Sequence, residues 1–154
     1  MLPQLQGYPP LITMPWSAET TPEIPMSPFK IELEPAYENV AAARRFVAER
    51  LDGAADRRVV DDLRLAASEL VTNAVEHGEN DRVVVELGVN PDLVSLSVTS
   101  RSPHDDVAPV SDWTVANAGE ITGRGLGIVR TLADDISVSR GGGMLTIRLE
   151  RRLN

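Results

Sequence analysis

Three absences limit what this chain can be. The sequence has no cysteine, which excludes disulfides, thiolate metal sites and cysteine nucleophiles. It has no apolar run near the roughly eighteen residues that a membrane span needs, and no Lys or Arg precedes Lys30, so it lacks the charge pattern of a signal peptide. Acidic residues outnumber basic ones, and the net charge of -8 opposes binding to the phosphate backbones of nucleic acids. We therefore expect a cytoplasmic protein that binds neither membranes nor nucleic acids directly and that favours a basic protein partner.

The length and composition indicate one globular domain preceded by a tail. A chain of 154 residues with 42% hydrophobic content has room for a single core. Residues 1–27 show no periodicity and are rich in proline, which removes a backbone donor and fixes φ. We predict a flexible tail over 1–27 and a domain over 28–154.

Hydrophobic periodicity predicts five strands and three helices in that domain. Period-two alternation marks strands with one buried face, and apolar residues at helical spacing mark the helices. Gly53 is placed to end the first helix in a left-handed conformation, and Gly78 to end the second. The clean alternation favours an α+β two-layer sandwich, a mainly antiparallel mixed sheet with helices on one face. In chain order the predicted elements are strand 29–33, helix 40–51, helix 55–77, strands 83–87 and 94–98, helix 125–132, and strands 136–138 and 145–149.

A polar stripe follows the second predicted helix. Glu69, Asn73 and His77 recur every four residues, an advance of about 400°, so they share one slowly drifting edge beside the apolar face. A carboxylate there can orient or deprotonate a nucleophile, and an Asn oxygen suits Mg²⁺. The alternative is a solvated helix surface, which is the commoner meaning of any one such residue.

A glycine-rich segment opens the third predicted helix. Gly123, Arg124, Gly125, Leu126 and Gly127 lie where unpaired backbone N–H groups attract anions and missing side chains admit phosphate oxygens. A hinge loop would explain the glycines equally well. For Arg124, binding to a phosphate and binding to a carboxylate of a partner protein are equal alternatives. No Lys-Ser or Lys-Thr pair follows, so the segment is not a P-loop.

Together the two segments resemble the nucleotide-binding boxes of the GHKL superfamily, which includes histidine-kinase catalytic domains, gyrase B, Hsp90 and MutL. The runs 68–78 and 123–130 look most like the small bacterial anti-sigma-factor serine kinases of the RsbW and SpoIIAB type, and the resemblance spans about 29–151. It implies the Bergerat-type ATP-binding fold with ATP and Mg²⁺ as cofactors. It also implies a sigma factor and an anti-anti-sigma (STAS-like) protein as partners, and a homodimer.

The resemblance assigns roles to residues of this chain. Glu69 corresponds to the general base and Asn73 to the Mg²⁺ ligand, and 101–122 corresponds to a mobile lid that holds His104, Asp112 and Trp113. The implied nucleotide site consists of Asn73, His77, Ser100, Gly123, Arg124, Gly125, Leu126 and Gly127.

Two departures from the family pattern lie at the adenine end of the site. Ser100 stands where relatives usually carry an Asp, and a neutral hydrogen bond is about half as strong as a charge-assisted one. Met144 stands roughly where relatives often carry a Thr, and Asp105 or Asp106 is a candidate substitute for the missing carboxylate. These departures keep a second hypothesis open beside the kinase: a non-catalytic module of the same fold that sequesters a sigma factor or its antagonist.

Overall fold

The computed structural model describes residues 27–79, 81–102, 109–112 and 121–153, except for the side chains of Ser27 and of 121–124. The predicted tail up to residue 26 lies outside the described residues, and so does most of the predicted lid, including His104, Asp105, Asp106 and Trp113.

Within these described ranges, five strands and three helices occur in the predicted order. A short 3-10 turn, Val110–Asp112, lies in the described part of the lid. The elements are β1 (Ser27–Leu33), α1 (Glu38–Leu51), α2 (Arg57–His77), β2 (Val83–Val89), β3 (Leu93–Arg101), α3 (Ile121–Leu132), β4 (Asp135–Gly141) and β5 (Met144–Arg152).

The strands form one sheet in the order β1-β2-β3-β5-β4. Every pairing among the described strands is antiparallel. The α+β sandwich is therefore confirmed, but the sheet is not mixed in its pairing. The reason lies in the connections. The helix pair α1 and α2 returns the chain to the end of the sheet it left, so β2 runs against β1. The single helix α3 makes β3 and β4 run in the same direction, but β5 lies between them.

The core lies between the helices and one face of the sheet. Val98 on β3 is opposite Val85 on β2 and Ile147 on β5, and all three are buried. Burying each such side chain contributes about 1.5–3 kcal/mol. The intervening residues, such as Glu86 and Ser97, lie on the other face, which is why the strands alternate so cleanly.

Helix α2 has well-defined ends. The Asp56 side chain accepts a hydrogen bond from the Val59 N–H at 3.0 Å, which caps the first turn. At the other end a Cβ on Gly78 would lie 2.5 Å from the Ala74 carbonyl oxygen and 3.3 Å from that of Arg101. The predicted stop at Gly78 is therefore confirmed, and its reason is close approach of backbone. The left-handed conformation predicted for Gly53 is also confirmed, with φ of 80°.

No helix of the described residues is both long enough and apolar enough to cross a membrane.

Candidate functional site

The predicted polar stripe lies along the C-terminal half of α2. Glu69 and Asn73 are half-buried, whereas His77 is exposed in the last turn. The neighbours Leu70 and Ala74 are buried against the sheet. The stripe therefore runs beside the apolar face, as its spacing predicted, and Glu69 and Asn73 are more enclosed than an ordinary solvated surface.

The glycine-rich segment comes directly against this stripe. A Cβ built on Gly125 would lie 2.8 Å from Oε1 of Glu69 and 3.8 Å from its carboxyl carbon. Helices α2 and α3 thus bring the two sequence segments together, although they are far apart in the chain. The predicted acid–base residue and the predicted phosphate-binding segment share one site.

Helix α3 begins earlier than expected. It starts at Ile121 and not at Gly125, so all three glycines lie inside its first two turns. Only the first few N–H groups of a helix are unpaired, and they belong to the residues around 121–123. Gly125 and Gly127 would therefore favour a nearby ligand by their lack of side chains. Leu126 is 1% exposed and packs in the core, so only its backbone is available to a nucleotide.

Gly123 and Arg124 lie in the first turn of α3, but their side-chain positions fall outside the described residues. The two roles considered for Arg124 both stay open.

Ser100 lies at the end of β3 on the face that carries the helices. It is 6% exposed and opposite Leu145 on β5. Within the described part of the chain its hydroxyl has no hydrogen-bond partner, which marks a buried group able to meet a ligand.

The strand register separates Met144 from Ser100. Met144 is opposite Arg101, one position beyond the Ser100–Leu145 pair, and side chains alternate along a strand. Met144 therefore belongs to the other face of the sheet, and Leu145 takes the place next to Ser100. The alternation of Leu145, Ile147 and Leu149 was a signal in the sequence that could have identified this neighbour.

Sequence reasoning also missed Arg140. On β4 it is opposite Leu145, and its Nη1 donates to the Ser102 carbonyl oxygen at 3.0 Å. A cation thus borders the serine end of the site, and no motif in the sequence indicated it.

The described part of the predicted lid is attached to α3. Nη1 of Arg130 donates to the Ser111 carbonyl oxygen at 3.0 Å, and Val110 packs against the core. The 3-10 turn therefore lies against the same helix that carries the glycines.

Two ionisable side chains near the ends of α1 and α2 have shifted pKa values. A hydrogen bond from the Arg82 backbone N–H lowers the pKa of Asp81, and the Arg101 side chain, whose Nε is 3.1 Å from Oδ2 of Asp81, lowers it further. The hydrogen bond that Tyr37 donates to Glu76 raises the pKa of the Tyr37 hydroxyl. Both groups are exposed. Their shifted pKa values therefore reflect hydrogen bonds and ion pairs at the protein surface and do not mark a reactive centre.

The donor set fits a nucleotide-bound Mg²⁺ better than a protein-only metal site. No cluster of three or more His, Cys, Asp or Glu side chains among the described residues could hold a metal ion. Magnesium in nucleotide sites keeps several waters and takes few protein ligands, the rest coming from phosphates. The half-buried Asn73 amide, one turn after Glu69, would be the protein oxygen available for such an ion.

The chain is similar in sequence to a known family and to several of its members. The family model described as histidine kinase-like ATPase domain matches residues 33–150. The Serine-protein kinase RsbW of Bacillus velezensis is 29% identical over 137 residues, which cover 81% of this chain and 84% of the relative. The protein of the same name from Bacillus subtilis is 26% identical over 137 residues, with the same coverage of 81% and 84%.

Two solved structures have a similar fold. The crystal structure of the RsbU and RsbW domains of Rv1364c from Mycobacterium tuberculosis matches with a TM-score of 0.61 and 26% identity, over 82% of this chain and 32% of that longer chain. The crystal structure of the SiaB-SiaC complex from Pseudomonas aeruginosa matches with a TM-score of 0.63 over 80% of this chain and 88% of that chain. At 12% identity the second likeness concerns the fold alone.

Proposed function

Because the chain belongs to the histidine kinase-like ATPase domain family, we propose that it is an ATP-dependent serine/threonine protein kinase of the anti-sigma type. The observation that carries the proposal is that the Glu69 carboxylate occupies the space beside Gly125, 2.8 Å from where a Cβ would lie. This proximity supports the proposal, because phosphoryl transfer to a hydroxyl needs a proton acceptor next to the groups that hold the phosphates.

Each site residue has a distinct task in this proposal. Glu69 accepts the proton of the incoming hydroxyl and aligns its oxygen with the terminal phosphate. The first turn of α3 directs its unpaired N–H groups at the phosphates, and Gly125 and Gly127 leave room for them. Asn73 would hold the Mg²⁺, which neutralises charge on the phosphates when bound. His77 borders the nucleotide at the open end of α2, and Ser100 contacts its base.

The names of the relatives support a protein substrate. The curated relatives carry the name Serine-protein kinase RsbW, so we propose that the hydroxyl belongs to a serine or threonine of an anti-anti-sigma, STAS-like protein. The second partner would be a sigma factor, and the kinase would act in the cytoplasm as a homodimer. The net charge of -8 favours a partner with a basic face.

The test is calorimetry with Mg-ATP followed by transfer of labelled phosphate to a candidate antagonist. We expect binding below millimolar concentration, and Glu69→Ala should slow transfer by about 100- to 10,000-fold, the range of general-base catalysis, with ATP affinity nearly unchanged. Glu49→Ala is the matched control, because Glu49 is exposed on α1. Absence of nucleotide binding by the wild type at millimolar ATP would overturn the proposal.

The buried Ser100 favours one competing function, a non-catalytic binding module of the same fold. Such a module would bind a sigma factor or antagonist equally well in wild type and E69A, and it would transfer no phosphate. Phosphate transfer that is lost in E69A excludes it.

A further inference from the structure

Gly125 has a steric reason to be glycine and no conformational one. Among the described glycines, positive φ values occur at Gly53, Gly142 and Gly143, so the backbone of Gly125 is one that any residue adopts. Alanine is the better helix former, so glycine inside α3 weakens the helix. What requires glycine is space, because a Cβ would come within 2.8 Å of Oε1 of Glu69.

A direct role of the Gly125 N–H toward phosphate does not fit its place in the helix. Gly125 is the fifth residue of α3, and at that position the N–H points to the carbonyl of Ile121 in the ordinary α-helical pattern. The group that faces the site at this position is therefore the Cα hydrogen that a side chain would replace.

The backbones on both sides of the contact are held by the core. Leu70 follows Glu69 and is 2% exposed, and Leu126 follows Gly125 and is 1% exposed. Next to Glu69, Ser68 accepts a hydrogen bond from Nη1 of Arg44 at 3.2 Å, which ties α2 to α1. An added methyl group at 125 would therefore displace the flexible end of Glu69 and not the helices.

We propose that Gly125 is a positioning residue: its missing side chain leaves the space that the Glu69 carboxylate occupies, so that α3 helps to orient the proton acceptor while its first turn holds the phosphates. The inference deepens the proposed kinase function and rests on it.

Gly125→Ala is the direct test. We expect a folded protein whose melting temperature is equal to or above that of the wild type, because alanine strengthens the helix. We expect ATP affinity to change less than about threefold and phosphate transfer to fall on the order of 100-fold, as expected when a catalytic group is misplaced by about 1 Å. Gly141→Ala is the matched control, because a Cβ there meets nothing within 4 Å.

A double-mutant cycle separates positioning from direct contact. If Gly125 acts through Glu69, adding G125A to E69A produces no further loss of transfer. In an E69D background, G125A should lower phosphate transfer by less than about threefold, because the shorter Asp side chain does not reach the new methyl group. A full additional loss in the E69A background, or unchanged transfer in G125A alone, overturns the inference.

A measurement without nucleotide distinguishes failure of this inference from failure of the kinase proposal. The carboxyl carbon of Glu69, assigned by the signal lost in Glu69→Gln, is followed by NMR in the free protein. We expect G125A to change its chemical shift, whereas G141A leaves it unchanged. An unmoved signal in G125A contradicts the positioning role, even if the wild type binds ATP. A moved signal in a protein that binds no nucleotide would instead contradict the kinase proposal alone.

Discussion

At the scale of single residues, Ser100 is the one that we expect to affect nucleotide choice most. Its hydroxyl is buried at the end of β3 and has no partner among the described residues, and leaving such a group unpaired costs about 1–3 kcal/mol. A hydroxyl both donates and accepts, so it can meet the amino group of adenine or the carbonyl of guanine. A carboxylate only accepts and would favour adenine alone.

Ser100→Asp should therefore increase the selectivity for ATP over GTP. We expect ATP to bind about tenfold tighter relative to GTP in S100D than in the wild type, since a charge-assisted hydrogen bond is roughly twice as strong as a neutral one. Side-by-side titrations with ATP, ADP and GTP measure the ratio. Ser100→Asn is the control, because an amide can again donate and accept. An unchanged ATP-to-GTP ratio in S100D would show that Ser100 does not face the base.

At the scale of elements, α2 does most to build the site. One face of this 21-residue helix packs on the sheet, and its edge carries both Glu69 and Asn73. The buried face of α2 supports the whole core, whereas the cap stabilises only the first turn. Because Glu69 lies more than two turns beyond the cap, a change at the cap should lower stability without affecting catalysis.

Asp56→Ala tests this separation. Loss of the hydrogen bond to the Val59 N–H should lower the free energy of unfolding by about 1 kcal/mol, the usual effect of removing an N-cap, and leave phosphate transfer unchanged. Urea denaturation measures the first quantity and the transfer assay the second. D56S, which keeps a capping oxygen, should retain most of the stability. A loss of transfer in D56A without unfolding would contradict the separation.

At the scale of the whole molecule, one arginine joins three elements. Nη1 of Arg151 on β5 is 2.8 Å from Oδ2 of Asp62 on α2, and it also donates to the carbonyl oxygen of Leu132, the last residue of α3, at 2.9 Å. The two charged side chains are 18% and 25% exposed, so solvent screens them less than the other ion pairs of the surface.

Arg151→Ala should destabilise the fold by about 1–3 kcal/mol, because it leaves the Asp62 carboxylate and a helix-end carbonyl without this donor. Arg151→Lys should recover only part of the loss, since a single ammonium does not reproduce the fork of the guanidinium. Urea midpoints of R151A, D62A and the double variant give the coupling energy. A coupling near zero would show that the pair contributes nothing to joining β5 to α2.

Local pattern was enough to predict the elements and their order. Burial on one face repeats every two residues in a strand and about every 3.6 in a helix, so the periodicity is already present in the residue order. The start of α3 was placed too late because Gly123 and Gly125 weaken helix propensity, and the packing of Leu126 and Val129 in the core overrides that weakness.

The sequence by itself determined the eight helices and strands of the described residues and the sandwich class, because these depend on neighbours in the chain. Only the tertiary structure decided that the Glu69 carboxylate occupies the space beside Gly125, that Leu145 and not Met144 lies beside Ser100, and that Arg140 borders this end. Those contacts depend on how α3 packs against α2 and on the register between β3 and β5. A shift of one residue in that register would turn the opposite side chains toward the helices, and no local pattern specifies the packing distance between two helices.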